Sequence, residues 1–232
     1  DQLLEVICRG FPKPSEHVMP PVTTPDGQTR SPIAGRADEP LVAEVIKTTT
    51  DAYVGRVSLV RIFAGTLHAE QAVHVSGHFA RFSGHPADAS WHADHDVDEK
   101  AGALSTVFGA TLTPVQEAVA GQIVAVARLT RAETGDTLSD PGAPSLMEPW
   151  TMPEPLLPTA ISAASNRDET KLVEGLARVQ AEDPTVRLVV DPATHQMVLW
   201  TMGDQHRDVI LERLETRFGA AVSTDSVAVA LQ

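Results

Sequence analysis

The chain has 232 residues, 42% of them hydrophobic and only 4% aromatic, and a formal net charge of −13. That length suffices for one large domain or two small ones, with a core that must be aliphatic. The acidic balance argues against an autonomous nucleic-acid module, because phosphate neutralisation drives such binding, although it leaves room for a local basic patch. The lone Cys8 excludes an internal disulfide framework and is read as a small hydrophobe on a helix face. No run of about 18 apolar residues is present, so no membrane span is expected. The first residues, Asp1-Gln2-Leu3-Leu4-Glu5, lack the basic-then-apolar order of a secretory signal and an initiator methionine.

Asp1 to Gly10 has helical spacing, with Leu3, Leu4 and Ile7 clustered. Phe11-Pro12-Lys13-Pro14 and Met19-Pro20-Pro21-Val22 cannot continue a helix, and Thr24-Pro25-Asp26-Gly27 is a turn signal. A short helix followed by an extended linker is therefore expected. From Leu41 the pattern turns to β: Val42, Glu44 and Ile46 alternate with Ala43, Val45 and Lys47. Thr48 to Ala52 reads as a polar turn, Gly55 permits a bend, and Arg56 to Phe63 continues as a strand that Gly65 breaks. Ala72 to Val75, Ala103 to Val107, Gln122 to Ala127 and Thr134 to Leu138 add further short strands, with Pro114 to Ala120 mixed. Many short strands with Gly turns predict a closed, Greek-key-like β-barrel.

Six prolines between Pro141 and Pro158 mark a second, stiff linker. Beyond it the class changes. Thr159 to Ala164 reads as a strand, and Asn166 and Glu169 are spaced as a capping box for a helix with Leu172, Leu176 and Val179 on one face. Asp183-Pro184 ends that helix. Strands at Thr185 to Val190 and Gln196 to Trp200 follow, separated by the turn Asp191 to Thr194. A second helix starts at Gly203-Asp204, carries Ile210, Leu214 and Phe218, and ends at Gly219, before a last strand from Ala221 to Leu231. The order βαββαβ is that of the ferredoxin-like split motif.

Particular residue strings sharpen this outline. Ala43-Glu44-Val45-Ile46-Lys47-Thr48, Gly55-Arg56-Val57 and Arg61 to Leu67 resemble the opening of the second domain of elongation factor G and its ribosomal GTPase relatives. Ala120-Gly121-Gln122-Ile123 through Gly135-Asp136-Thr137-Leu138 resembles the end of that domain. Ala181-Glu182-Asp183-Pro184-Thr185, Thr201 to Ile210, Glu212-Arg213-Leu214 and Phe218-Gly219 are similar to words of the family's third domain. The resemblance implies residues 1–38 as a helix and linker leaving a GTPase domain absent from this chain, and 39–148 as the barrel, domain II. It implies 149–158 as a Pro-rich linker and 159–232 as the ferredoxin-like domain III.

The same resemblance implies a cytoplasmic, ribosome-associated GTPase as the parent. Its expected partners are ribosomal RNA, ribosomal proteins, its own GTPase domain and its later domains. GTP and Mg are expected in the missing GTPase domain. The sequence contains no GxxxxGK[ST] phosphate-binding loop, so no catalytic residue and no cofactor ligand is assigned within it. Arg56, Arg61, Arg81, His206 and Arg207 are the candidates for ribosome or interdomain contact. Arg56 and Arg61 flank a barrel strand, and His206 matches the family's histidine in its Gly-Glu-Leu-His word. Arg56, Arg61 and His206 also have a plain alternative: a strand arginine paired to a carboxylate, or a packed histidine.

Two other groupings have the residue types of chemistry. His74, His78, His85, His92 and His95 lie among Asp88, Asp94, Asp96 and Asp98, the residue types of a zinc-type site, but in a Gly-, Pro- and Ala-rich stretch that reads instead as a solvated insertion with no metal. Asp204 and Asp208 flank His206, but Asp204 reads as an N-cap and no nucleophile is nearby. After the His-rich stretch the family tends to carry basic residues and a Met-His turn, whereas this chain has Val107-Phe108-Gly109. That difference favours a divergent paralogue, with an acidic protein-binding module as the alternative to ribosome binding.

Overall fold

The computed structural model describes residues 2–51, 55–78, 94–109, 111–150 and 152–228. They fall into two units, one ending at Pro149 and the other beginning at Trp150. Among the described residues no helix is long and apolar enough to cross a membrane.

Gln2–Gly10 forms helix α1 at the expected place, but no residue in it is buried. Leu3, Leu4 and Ile7 are exposed, and Cys8 lies on the helix as expected but is exposed too: the helix has an apolar side and nothing among the described residues to cover it. The strap after it is partly structured. Val22–Thr23 forms β1 and pairs antiparallel with β12, Leu146–Met147, from the second proline-rich stretch. Val22, Met147, Val42 and Ala64 bury together there, against Ile33 and Phe63.

The barrel's central strands are β2, Val42–Asp51, and β3, Gly55–Ala64. β2 runs through Asp51, so the polar run from Thr48 is strand and not turn. Thr48 is buried and its amide donates to Thr134 Oγ1 at 2.9 Å; β-branched threonines suit a pleated, half-covered surface. The other strands of this unit are β4 Thr66–His68, β5 Ala72–Gly77, β6 His95–Lys100, β7 Leu104–Phe108, β8 Thr111–Val115, β9 Glu117–Val119, β10 Ile123–Ala127 and β11 Thr137–Ser139. Six of them join β2 and β3 in one antiparallel sheet in the order β6-β5-β11-β2-β3-β10-β7-β8, and β4 pairs with β9. Alternate residues turn inward to one aliphatic core that includes Ala43, Val45, Val60, Ile62, Leu67, Val75, Val126 and Leu138. Gly65, at φ +79°, ends β3: a Cβ there would lie 2.7 Å from the backbone of Leu41, so the chain crosses itself where only glycine fits.

Of residues 74–98, read as a solvated insertion, the described residues 74–77 and 95–98 are strand, which corrects that reading for them. His95–Lys100 is an edge strand paired with β5, with Val75 opposite Val97 and His74 opposite Asp98. Its apolar signal is a single valine, too little for periodicity to reveal.

The second unit has β13 Leu157–Ala163, α2 Glu169–Glu182, β14 Arg187–Val190, β15 Met197–Thr201, α3 Asp204–Phe218 and β16 Val222–Asp225. The antiparallel sheet order β14-β15-β13-β16 is ferredoxin-like. Leu172, Leu176 and Val179 of α2 and Ile210 and Leu214 of α3 bury in one core with Ile161 and Leu199. At that helix crossing a Cβ on Gly175 would approach Leu214 Cδ2 to 2.8 Å, so glycine lets the helices close. Two cap assignments change. The N-cap of α2 is Asp168, not Asn166, and Ser165 Oγ donates to its Oδ2 at 2.7 Å. The N-cap of α3 is Gly203, which puts Asp204 inside the first turn. Gly219 ends α3 in the left-handed conformation, as its residue type predicts.

Candidate functional site

Arg56 and Arg61 share β3 but are differently engaged. Arg56 Nη1 donates to the carbonyl of Thr130 at 2.6 Å, and its own carbonyl accepts from the Arg128 amide. Its guanidinium thus ties β3 to the loop after β10. Arg61 stands opposite Glu44 on β2 and lies over the Phe63 ring, 4.7 Å from its centroid. Glu44 is the residue that sequence reasoning missed. The alternation that points Ala43 and Val45 inward sends Glu44 outward, yet it is only 7% exposed, between Arg61 and Thr137 of the neighbouring strands. Burial pushes its carboxyl up to about 7, against the pull of Arg61. Arg81 lies outside the described residues.

His206 and Arg207 come together on the first turn of α3. Nδ1 of His206 accepts from the Met202 amide at 3.2 Å, which leaves Nε2 to donate to Asp183 Oδ2 at 3.1 Å. The other oxygen of Asp183 accepts from the Thr185 amide at 2.9 Å and from its hydroxyl at 2.5 Å. His206 therefore locks the start of α3 to the turn that ends α2. The Asp-Pro-Thr word and the histidine, 23 positions apart in the chain, are one structural device. Arg207 is held by carboxylates of its own helix, Nη1 to Asp204 at 2.9 Å and Nη2 to Asp208 at 2.8 Å. The hydrogen bond to Asp208 holds the guanidinium above its ordinary pKa. Around this cluster Met202, Gln205 and Val209 are exposed, so the turn presents a mixed apolar and polar surface.

The β5–β6 hairpin carries the described part of the His/Asp grouping; His85 and His92 lie outside the described residues. His74 Nδ1 is 2.7 Å from Asp98, and His78 Nε2 is 2.8 Å from Asp96. Burial raises the Asp96 carboxyl, but the neighbouring Ser76 hydroxyl and the His78 imidazole outweigh it and leave the group depressed. His95 instead meets Asp136, Nε2 to Oδ2 at 2.9 Å. His74 also lies 3.6 Å from Asp96 and His78 3.8 Å from Asp94, so imidazoles and carboxylates alternate along the strand pair, and no group of three or more such ligands converges on one point among the described residues. The pattern zips two strands together.

The family model for elongation factor G domain 2 matches residues 40–141, and that for elongation factor G domain III matches residues 152–226. A protein of Mycobacterium tuberculosis named elongation factor G-like protein is 52% identical over 231 residues, which is 100% of this chain and 32% of that protein. Elongation factor G 2 of Geobacter metallireducens is 33% identical over 225 residues, 96% of this chain and 30% of that protein. A crystal structure of a Thermus thermophilus protein covers 98% of this chain and 29% of its own at a TM-score of 0.72 and 24% identity, and so shares the fold. The chain spans about a third of the length of the relatives it matches.

Proposed function

Since this chain belongs to the elongation factor G family and carries the family's domains II and III, we propose that it relays conformational change between a nucleotide-binding domain and later domains of a ribosome-associated GTPase. The observation that carries this reading is the ordered match of both domain models, one to the barrel and one to the ferredoxin-like unit. GTP and magnesium belong, in this reading, to a preceding domain; the contribution of these residues is mechanical. The identity of 52% to a protein named elongation factor G-like, against 33% to one named elongation factor G 2, supports a divergent branch of the family.

Three features suit a relay. The His206–Asp183 bond fixes the first turn of α3 to the body of its unit, so a force on that turn moves the unit as a whole. Arg56 and Arg61 are tied into the barrel wall, where they supply positive charge without loose side chains. The proline-rich stretch after Met147 joins two separately packed cores, which suits rotation of one against the other. The test uses the full-length protein, with residues deleted between Pro149 and Pro155 so that the β1–β12 pair survives. Ribosome-stimulated GTP turnover is expected to fall while intrinsic turnover holds. Unchanged stimulated turnover would count against the relay.

A second reading is favoured by one hairpin. β7 and β8 and their connection carry no charged residue from Ala101 to Gln116. Phe108 is 90% exposed, and Leu112 is exposed. An apolar tip on an acidic chain fits a protein surface better than RNA phosphate, and so fits a factor that no longer grips the ribosome. Co-sedimentation of the full-length protein with ribosomes and a non-hydrolysable GTP analogue separates the readings, because only the relay requires it to pellet.

A further inference from the structure

The ferredoxin-like unit holds a cavity at the end of its sheet away from His206. β13 runs out towards Ala163 at this end, α2 begins here with Glu169, and β15 enters with Met197, whereas His206 follows the far end of β15. The cavity has a volume of about 450 Å³, inside the range of roughly 300–1,000 Å³ typical of ligand sites. Ile161, Leu172 and Met197 line it with apolar surface, and Glu169 and Asp225 with carboxylates.

The charge is one-sided. Glu169 and Asp225 are exposed, neither carboxylate has an ion-pair or side-chain hydrogen-bond partner among the described residues, and no Lys or Arg lines the cavity, His195 being the other titratable group in its lining. An apolar floor with two uncompensated carboxylates repels phosphate and favours a cation attached to an aliphatic body.

We propose that this cavity docks a basic protein segment, one aliphatic side chain entering between Ile161, Leu172 and Met197 while a flanking Arg or Lys meets Glu169 and Asp225. The chain's net charge of −13 favours such a partner at longer range.

The test titrates a fluorescein-labelled peptide of alternating arginine and leucine onto the 232-residue chain. Anisotropy gives the affinity, and methyl NMR of Met197 and Leu172 gives the location. Saturable binding that shifts both methyl signals is expected. Glu169→Gln and Asp225→Asn should each weaken binding roughly two- to fivefold, and together roughly tenfold, in keeping with exposed charge pairs. Both side chains are exposed, so these variants keep the fold, and Glu212→Gln on α3 should leave binding unchanged. Binding that ignores both variants and leaves the methyls unmoved would show general attraction to an acidic surface and overturn the site. A single-stranded RNA oligomer that shifts the same methyls would overturn the assigned chemistry.

Discussion

His206 and Asp183 meet at 3.1 Å across the junction of the two helices of the ferredoxin-like unit, His206 donating through Nε2 while its Nδ1 accepts from the Met202 amide. The pair is partly buried, which lets a single hydrogen bond to a carboxylate contribute more than it would in open water. A double-mutant cycle of His206→Ala and Asp183→Ala should give a coupling energy of about 0.5–1.5 kcal/mol in urea unfolding of the chain. A coupling near zero would mean that the two groups only sit side by side.

Glu44 gives a pH signature of its own. Its folded-state carboxyl is raised from 4.5 to about 7, chiefly by burial. The folded state therefore holds this proton more tightly than the unfolded state does. Below about pH 4.5 both states are protonated and the group is neutral in the balance. As pH rises from there to about 7 its contribution turns unfavourable, and above 7 the full penalty is present. Glu44→Gln should stabilise the chain on the order of 2–3 kcal/mol at pH 8 and by much less at pH 5. Thermal melts of both proteins at the two pH values decide it. Equal shifts at both would place the charged form of Glu44 comfortably against Arg61.

The aliphatic core offers a simpler comparison. Leu214 is fully buried at the α2–α3 contact, whereas Val209 on the same helix is 43% exposed. Leu214→Ala should cost about 2–5 kcal/mol, through lost transfer free energy and the cavity left behind. Val209→Ala should stay within about 0.5 kcal/mol. Urea unfolding followed by far-UV circular dichroism, which reads the loss of α2 and α3, measures both. Similar costs at the two positions would mean that the α3 face is misassigned.

The stretches that read correctly from sequence are those with a dense apolar period. Ala43 and Val45 alternate into the barrel core, and Leu172, Leu176 and Val179 recur at helical spacing. Elements whose stability comes from partners far along the chain are not legible in this way. β6 has one inward valine and is held by cross-strand His–Asp pairs. β1 is two residues long and exists through its pairing with Leu146–Met147. In Ser165-Asn166-Arg167-Asp168 three residue types can cap, and local pattern does not choose between them. The site divides in the same way. His206 stands out through its motif, but its partner Asp183 reads in sequence only as a helix stop, because tertiary folding brings the two together. Glu44 reads as an ordinary solvent-facing strand residue, since alternation gives direction but not cover.

Asp136 shows why the Thr-Gly-Asp-Thr-Leu word at the end of the barrel needs its aspartate. The residue is 1% exposed and its Oδ2 accepts from the Glu133 amide at 2.6 Å and from His95 Nε2 at 2.9 Å. It thereby ties the turn before β11 to the first residue of β6, two strands away in the sheet. Burial pushes the carboxyl up, and the bond from His95 pulls it back. Alanine would strand both donors in a closed site, at a cost of about 2–4 kcal/mol. Asparagine keeps the shape and one acceptor oxygen, so Asp136→Asn should cost less than half as much. Chemical denaturation of the two variants tests this, with hydrogen exchange of the Glu133 amide as the local readout. That amide should lose protection in Asp136→Ala and retain part of it in Asp136→Asn. Equal losses in both would mean that the charge of Asp136, and not its acceptor geometry, holds the hairpin to the barrel.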